Sequence, residues 1–237
     1  MTTLNIDIET YSSYDIRKTG VYRYVEAPDF EILIIAFSID RGKIQTIDMY
    51  DLDHDLYKKF RGLLFDPGDT KYAFNANFER TCLAKHFDTE MPPSEWVCTM
   101  VNSARAGLPL SLEMCAEVLG IDMQKDAKGK NLIKYFSMPC KPTKVNGGRT
   151  RNYPEHDTEK WQQFIDYCEQ DVRVEMAIAN EISNIEYPDS EQQLWTIDQR
   201  INDRGVHIDE ALMLGAYKLD EISKSDLMKQ AKQLTGL

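Results

Sequence analysis

The chain has 237 residues, of which 42% are hydrophobic and 28% charged, and its formal net charge is −11. That length can bury one sizeable core with an appendage, while the acidic balance excludes a protein that holds nucleic acid by bulk charge. No N-terminal run resembles a signal peptide and no stretch approaches a membrane span, so a cytoplasmic setting without a membrane partner is expected. The cysteines (Cys82, Cys98, Cys115, Cys140 and Cys168) lack CxxC spacing, are odd in number and read as reduced thiols. His54, His86, His156 and His207 are too scattered for a zinc site, and no Ser-His-Asp pattern or Gly-rich phosphate loop appears.

The first predicted element is a strand over 2–9. Leu4, Ile6 and Ile8 alternate with Asn5, Asp7 and Glu9, which is strand periodicity. Side chains two apart share a strand face, so Asp7 and Glu9 project together, roughly 6–7 Å apart along the strand. Such a pair can hold a metal ion. Taken alone, it also reads as the solvated face of an edge strand. A loop is expected through Gly20, then strands near 30–40 and 43–50 from the apolar runs Ile32–Phe37 and Ile44–Ile47.

Helix 53–65 and strand 70–74 come next, followed by helix 76–87. Asn75 is the expected N-cap of that helix, and Glu79 falls one turn in, where an acid also suits the helix dipole. Helices near 99–107, 111–120 and 128–136 lead into a basic stretch. It contains Lys125, Lys128, Lys130, Lys134, Lys141, Lys144, Arg149 and Arg151, and Asp126 alone opposes them. Pro139, Pro142, Gly147 and Gly148 mark a loop within it, which reads either as a flexible arm for phosphates or as a solvated surface. The longest predicted helix spans 158–186, with Trp161, Phe164, Ile165, Cys168, Val172, Met176 and Ala179 at helical spacing. Tyr167 and Asp171 are four apart and stack on one face. Pro188 breaks that helix from further helices in the tail. Strands followed by alternating helices and strands predict an α/β fold with a mixed sheet.

Taken together, the D-x-E, N-x-x-F-E and Y-x-x-x-D segments resemble the three exonuclease motifs of the DnaQ-like, DEDD superfamily. A tyrosine four before the last Asp marks the DEDDy branch; the position where the DEDDh branch has histidine is Asp166. Asp7-Ile-Glu-Thr-Tyr-Ser-Ser and Ala76-Asn-Phe-Glu-Arg-Thr-Cys are similar to the proofreading domain of phage-type family-A DNA polymerases. So is the stretch from Cys98-Thr-Met through Gly107-Leu-Pro-Leu-Ser-Leu-Glu to Lys125-Asp-Ala-Lys-Gly-Lys. The second motif commonly ends in Asp, and here it ends in Glu79, whose longer stem still suits Mg²⁺. The resemblance covers 1–187 and implies an RNase H-like exonuclease domain. It also implies a single-stranded DNA 3′ end as substrate and the cytoplasm of a bacterial host or phage-infected cell. The segment 188–237, with Leu194 to Asp209 at its centre, resembles the opening of the polymerase module of the same family. The remainder of such a polymerase is therefore an expected partner, and no nucleotide incorporation is expected from this chain. The apolar tail positions Leu194, Trp195, Ile197, Ile201, Leu212, Leu214 and Leu219 call for burial.

A phosphodiester repels hydroxide, and two divalent ions, Mg²⁺ or Mn²⁺, can acidify a water and stabilise the leaving oxygen. The expected ligands are Asp7 as the bridge, Glu9 and Asp171 on one ion, and Glu79 on the other. Tyr167 is expected to orient the attacking water, since a phenol with pKa near 10 is a poor base at neutral pH. Thr10, Asn75 and Phe78 are candidates to contact the terminal nucleotide. Two other readings share these residues: an RNA-trimming DEDDy ribonuclease, and a non-catalytic domain that holds DNA for a polymerase.

Overall fold

The structure, a computed structural model, describes residues 2–121 and 129–236. Five strands form one sheet: β1 (Thr3–Tyr11), β2 (Glu31–Ile39), β3 (Ile44–Asp48), β4 (Thr70–Ala73) and β5 (Trp96–Cys98), in the order β3-β2-β1-β4-β5. The pairs β1–β2 and β2–β3 are antiparallel, whereas β1–β4 and β4–β5 are parallel. The expected mixed α/β sheet is therefore present, with β1 at its centre.

Nine α-helices accompany the sheet among the described residues. They are α1 (Ile16–Tyr24), α2 (His54–Leu64), α3 (Ala76–Phe87), α4 (Thr99–Arg105), α5 (Leu112–Leu119), α6 (Gly129–Phe136), α7 (Thr158–Glu181), α8 (Asp189–Arg204) and α9 (Glu210–Thr235). Three expectations need correction. The loop through Gly20 contains α1, whose backbone breaks at Gly20 with φ of 72°. Its polar residues leave no apolar stripe to read; Asp15 starts it by accepting from the Arg17 N–H. The short strand β5 is an addition, because three residues carry too little alternation to predict a strand. The long helix stops at Glu181, with Ile182 as its cap, and not near 186. Lys125, Asp126 and Lys128, and the start of the helix expected at 128, lie outside the described residues.

The two sheet faces bury different sets of β1 residues. Leu4, Ile6 and Ile8 enter a core with Phe37, Phe60, Leu64, Leu83 and Trp96. The opposite face carries Asp7, Glu9 and Tyr11 towards α7, where Tyr11 joins Leu33, Ile34, Phe136, Trp161, Phe164, Cys168 and Val172. Phe136 stacks on Phe164 at 5.5 Å between ring centroids, tying α6 to α7. Burying a side chain of that size contributes roughly 1.5–3 kcal/mol. A compact unit runs as far as Gln199, and Trp195 of α8 is buried in its first core. The residues from Arg200 form a second unit, described separately. No helix among the described residues is long and apolar enough to cross a membrane.

Candidate active site

The site is built on the face of β1 that meets α7. The pairing of β1 with β2 slips between Glu9 and Thr10: Glu9 opposes Ile34, while Thr10 opposes Ile32. Leu33 is the extra residue of this β-bulge. A bulge twists a strand locally and re-aims its side chains, and here it falls directly beside Glu9. Leu33 and Ile34 consequently both face the α7 layer.

Asp7, Glu9, Glu79 and Asp171 come together at this point from β1, α3 and α7. Glu9 and Glu79 are buried; Asp7 and Asp171 are half-buried. Burial raises the proton affinity of Asp7, and the charges of Asp171, Glu9 and Glu79 raise it further. Glu9 is pushed up by burial and by the charges of Asp171 and Glu79. Burial moves Glu79 to about 8, opposed by its own backbone N–H and reinforced by Glu175 and Asp171. Burial also moves Asp171 to about 7, partly offset by a hydrogen bond from Tyr167. No basic side chain among the described residues offsets this charge. The Glu79 Oε2 atom is buried without a hydrogen-bond partner. Clustered carboxylates with an unsatisfied oxygen and no cationic neighbour are the donor set a hard divalent ion prefers. They do not make a closed cage, since among the described residues no group of three or more His, Cys, Asp or Glu side chains is drawn close enough to clasp an ion. Mutual repulsion among the carboxylates opposes closure while no cation lies between them.

Tyr167 projects into the same place from α7, within hydrogen-bonding reach of Asp171. Burial first, and the nearby carboxylates next, push its phenol well above the usual range, so it stays protonated and donates. The remaining expected residues are distributed differently. Thr10 is buried and its hydroxyl pairs with that of Tyr24 at 2.8 Å. Asn75 occupies the N-cap position of α3, yet its side chain makes no capping bond and is exposed. Phe78 is half-buried, with its ring 6.2 Å from that of Tyr24.

Three further residues shape the site. The Cys168 thiol donates to Asp7 Oδ2 at 3.3 Å; burial and adjacent acids hold it far above its ordinary pKa, as a donor. As an apolar member of the α7 stripe, it gives no sign of this bond in the sequence. Glu175 is buried and accepts from Asn5 Nδ2 at 2.7 Å and from the Thr99 hydroxyl, joining α7 to β1 and α4. Its place four residues after Asp171 continues the Tyr167–Asp171 ladder and is the signal that could have found it. Gly129 opens α6 against the ring of Tyr167: a Cβ added there would lie 2.7 Å from Tyr167 Cδ2 and closer still to Cε2.

A family model described as the RNase_H superfamily matches residues 6–183. The chain belongs to that superfamily. It is also 52% identical over all 237 residues to a DNA polymerase of Bacillus phage SP02, of which it spans 36%. Among solved structures, it resembles Escherichia coli RNase D, an exoribonuclease involved in structured RNA processing. That likeness has a TM-score of 0.51 at 14% identity, covering 86% of this chain and 46% of that one. A family B DNA polymerase from the archaeon Pyrobaculum calidifontis matches with a TM-score of 0.50 at 15% identity, over 77% of this chain and 24% of the other. At such identities these two likenesses establish the fold. Its nuclease type usually works with divalent metal ions, and the carboxylate cluster of this superfamily member is drawn from the central strand β1 and the helices α3 and α7.

Proposed function

We propose that this chain is a metal-dependent 3′→5′ exonuclease that removes nucleotides from DNA 3′ ends, of the proofreading type. The observation that carries the reading is that Asp7, Glu9, Glu79 and Asp171 lie near enough for their charges to interact, with Tyr167 beside them and no basic residue balancing them among the described residues. The polymerase relative favours DNA over RNA.

Asp7, Glu9, Glu79 and Asp171 would hold two divalent ions, Mg²⁺ or Mn²⁺. Those ions would supply a more acidic water and charge stabilisation at the leaving oxygen. Tyr167 keeps its own proton, so it orients the attacking water as a hydrogen-bonding partner and does not take a proton from it. Cys168 and Glu175 position Asp7 and the α7–β1 contact. Asn75, exposed at the start of α3, Phe78 and Thr10 would contact the terminal nucleotide, with the Thr10 hydroxyl held by that of Tyr24. The 1–187 segment carries these residues, and 188–237 belongs with a polymerase module.

A 5′-labelled single-stranded DNA should shorten as a ladder with Mg²⁺ or Mn²⁺ and remain intact in EDTA. Asp7→Ala should lose this activity while keeping its fold, because removing one of several repelling charges relieves the native state. Undiminished cleavage in EDTA, or by Asp7→Ala free of contaminating nuclease, would overturn the assignment. Exclusive cleavage of an RNA of the same sequence would replace DNA with RNA as the substrate.

A further inference from the structure

We propose that the cleft between α6 and the loop 137–153 binds the phosphodiester backbone of the strand being degraded, a role that rests on the nuclease reading above. The cleft has a volume of about 330 Å³ and is lined by Lys134, Arg149, Tyr135, Asn131, Asn146 and Asn152, with no carboxylate among the described lining residues. A concentration of cations and carboxamides stands out in a chain of net charge −11. Its general field repels a polyanion, so a strand requires a local patch of opposite sign.

The loop is a built structure and not a loose arm. Asn146 Oδ1 accepts from the backbone N–H of Thr143 at 2.8 Å and of Gly148 at 3.1 Å. Its Nδ2 donates to the carbonyls of Lys141 at 2.9 Å and Arg149 at 3.3 Å. Gly147 and Gly148 take the left-handed φ values of 69° and 80° that close the turn. This network fixes the guanidinium of Arg149. Its Nε donates to Asn152 Oδ1 at 2.7 Å, and its other nitrogens reach the Asn146 carbonyl at 3.3 Å and the Tyr135 hydroxyl at 3.5 Å. All three acceptors are neutral. Among the described residues neither Arg149 nor Lys134 forms an ion pair with a carboxylate. The cleft therefore presents two uncompensated positive charges, one of them held in a fixed orientation. The carboxamides of Asn146 and Asn152 are spent on carbonyls of the loop and of α6. The oriented guanidinium they hold, with the Lys134 ammonium in the same cleft, matches phosphate oxygens.

Its position favours a strand over an isolated ion. Gly129, the first residue of α6, lies on Tyr167, and Lys134 is about 7.5 Å further along the same helix axis. Lys130 and Lys134 are four apart and share a helix face; Lys130 is highly exposed, with only a 3.5 Å surface pair to Glu113. A strand with its terminal phosphodiester at the carboxylates would place upstream phosphates along α6 and into this cleft.

The test is fluorescence anisotropy of a 5′-labelled single-stranded oligothymidylate with Asp7→Ala protein in EDTA, over a range of KCl concentrations. Adding Lys134→Ala or Arg149→Ala should raise Kd several-fold and flatten the plot of log K against log salt by about 0.7 for each phosphate no longer neutralised. In the otherwise unaltered chain, Lys134→Ala should raise KM for the oligonucleotide and leave kcat unchanged. Lys134 is exposed, so its variant tests the idea even if Arg149→Ala fails to fold. Unchanged affinity and salt slope in Lys134→Ala would overturn the proposal. So would a weakening confined to free thymidine 5′-monophosphate, which would assign the cleft to the product. If the unaltered chain cleaves nothing while Lys134→Ala still weakens oligonucleotide binding, the nuclease reading fails and the cleft stands. Normal cleavage combined with unaltered binding removes the cleft and keeps the nuclease.

Discussion

Gly129 and Tyr167 are in such close contact that a single methyl group has no room between them. Gly129→Ala must push either α6 or the tyrosine ring aside, and Phe136 stacked on Phe164 holds the far end of α6 in place. The ring is therefore expected to move, at an overpacking penalty of about 1–3 kcal/mol. Turnover should fall by about 10–100-fold, as for other residues that orient an active group from behind. Combined with Tyr167→Phe, the two losses should be less than additive, because both act through one hydroxyl. Fully additive losses in a double-mutant cycle would separate Gly129 from Tyr167. The carboxylates give a second residue-scale expectation. Unfolded, Asp and Glu titrate near 4, whereas burial holds Asp171 at about 7 and Glu79 at about 8 in the fold. Between those limits the folded chain binds more protons than the unfolded chain, so stability falls as pH rises. In EDTA, Tm should therefore decline from pH 5 to pH 8.5 and level off above the folded pKa values. Asp171→Asn should flatten that decline and raise Tm at the alkaline end, and Mg²⁺ should restore stability there. A Tm in EDTA that rises across this range would contradict the charge clustering.

At the scale of elements, the basic loop is fastened beside β1 by Arg151. Its guanidinium lies 3.6 Å from the centroid of the Tyr11 ring and 4.7 Å from that of Tyr153. It also pairs with Glu31 and donates to the Tyr50 hydroxyl. Tyr11 belongs to the strand that carries Asp7 and Glu9, so this stack links loop to site. Arg151→Ala should cost about 1–2 kcal/mol, from the loss of a largely desolvated cation–π contact; the Glu31 side chain is 41% accessible and keeps the Tyr50 hydroxyl as a donor, so it adds little. It should speed amide exchange across 138–150 and raise KM for single-stranded DNA more than it lowers kcat. Unchanged exchange in that segment would show that the loop is held by Asn146 alone. What the sequence makes legible follows from the range of the interactions. Asp7, Glu9, Tyr167 and Asp171 are legible because periods of two and of four set which side chains share a face, and β1 and α7 obey them. Glu79 is legible because the apolar run before Asn75 and the helical pattern after it mark the strand-to-helix turn. Helix α1 is not, since Ile16 is exposed and only local capping holds its start. Nor are the bulge at Leu33 and the Cys168 bond to Asp7; at Glu175 the period of four marks the position but not its partners Asn5 and Thr99. Each of these contacts joins residues distant in the chain and leaves no periodic trace of its partner.

At the scale of the whole molecule, apolar surface is distributed unevenly. Among the described residues, the unit ending at Gln199 contains every buried hydrophobic residue, with Trp195 as the last of them. The unit from Arg200 buries none of its side chains among the described residues. Of the tail positions that call for burial, Trp195 alone is buried; Leu194, Ile197, Ile201, Leu212, Leu214 and Leu219 are exposed. Tyr217, Ile222, Leu227 and Met228 extend this exposure along α9, and Leu212 is 72% accessible. These side chains fall all round the helix, interspersed with Lys218, Asp220, Glu221, Lys224, Asp226, Lys229 and Lys232, instead of on one stripe. So many large apolar side chains left exposed on one element mark an interaction surface. A matching proposal comes from the phage polymerase relative, of which this chain spans 36%: in a longer protein, polymerase residues would cover α9. For the chain of 237 residues on its own, the expected result is self-association. Its sedimentation coefficient should rise with concentration, and removing 205–237 should abolish that rise. The shortened protein should keep the Tm of the folded unit, because no core residue is removed, and should hydrolyse DNA at the same rate per site. A chain that stays monomeric at high micromolar concentration with α9 still helical by circular dichroism would show that the exposed residues seek no cover. A large drop in Tm on truncation would place part of the stabilising core in the tail.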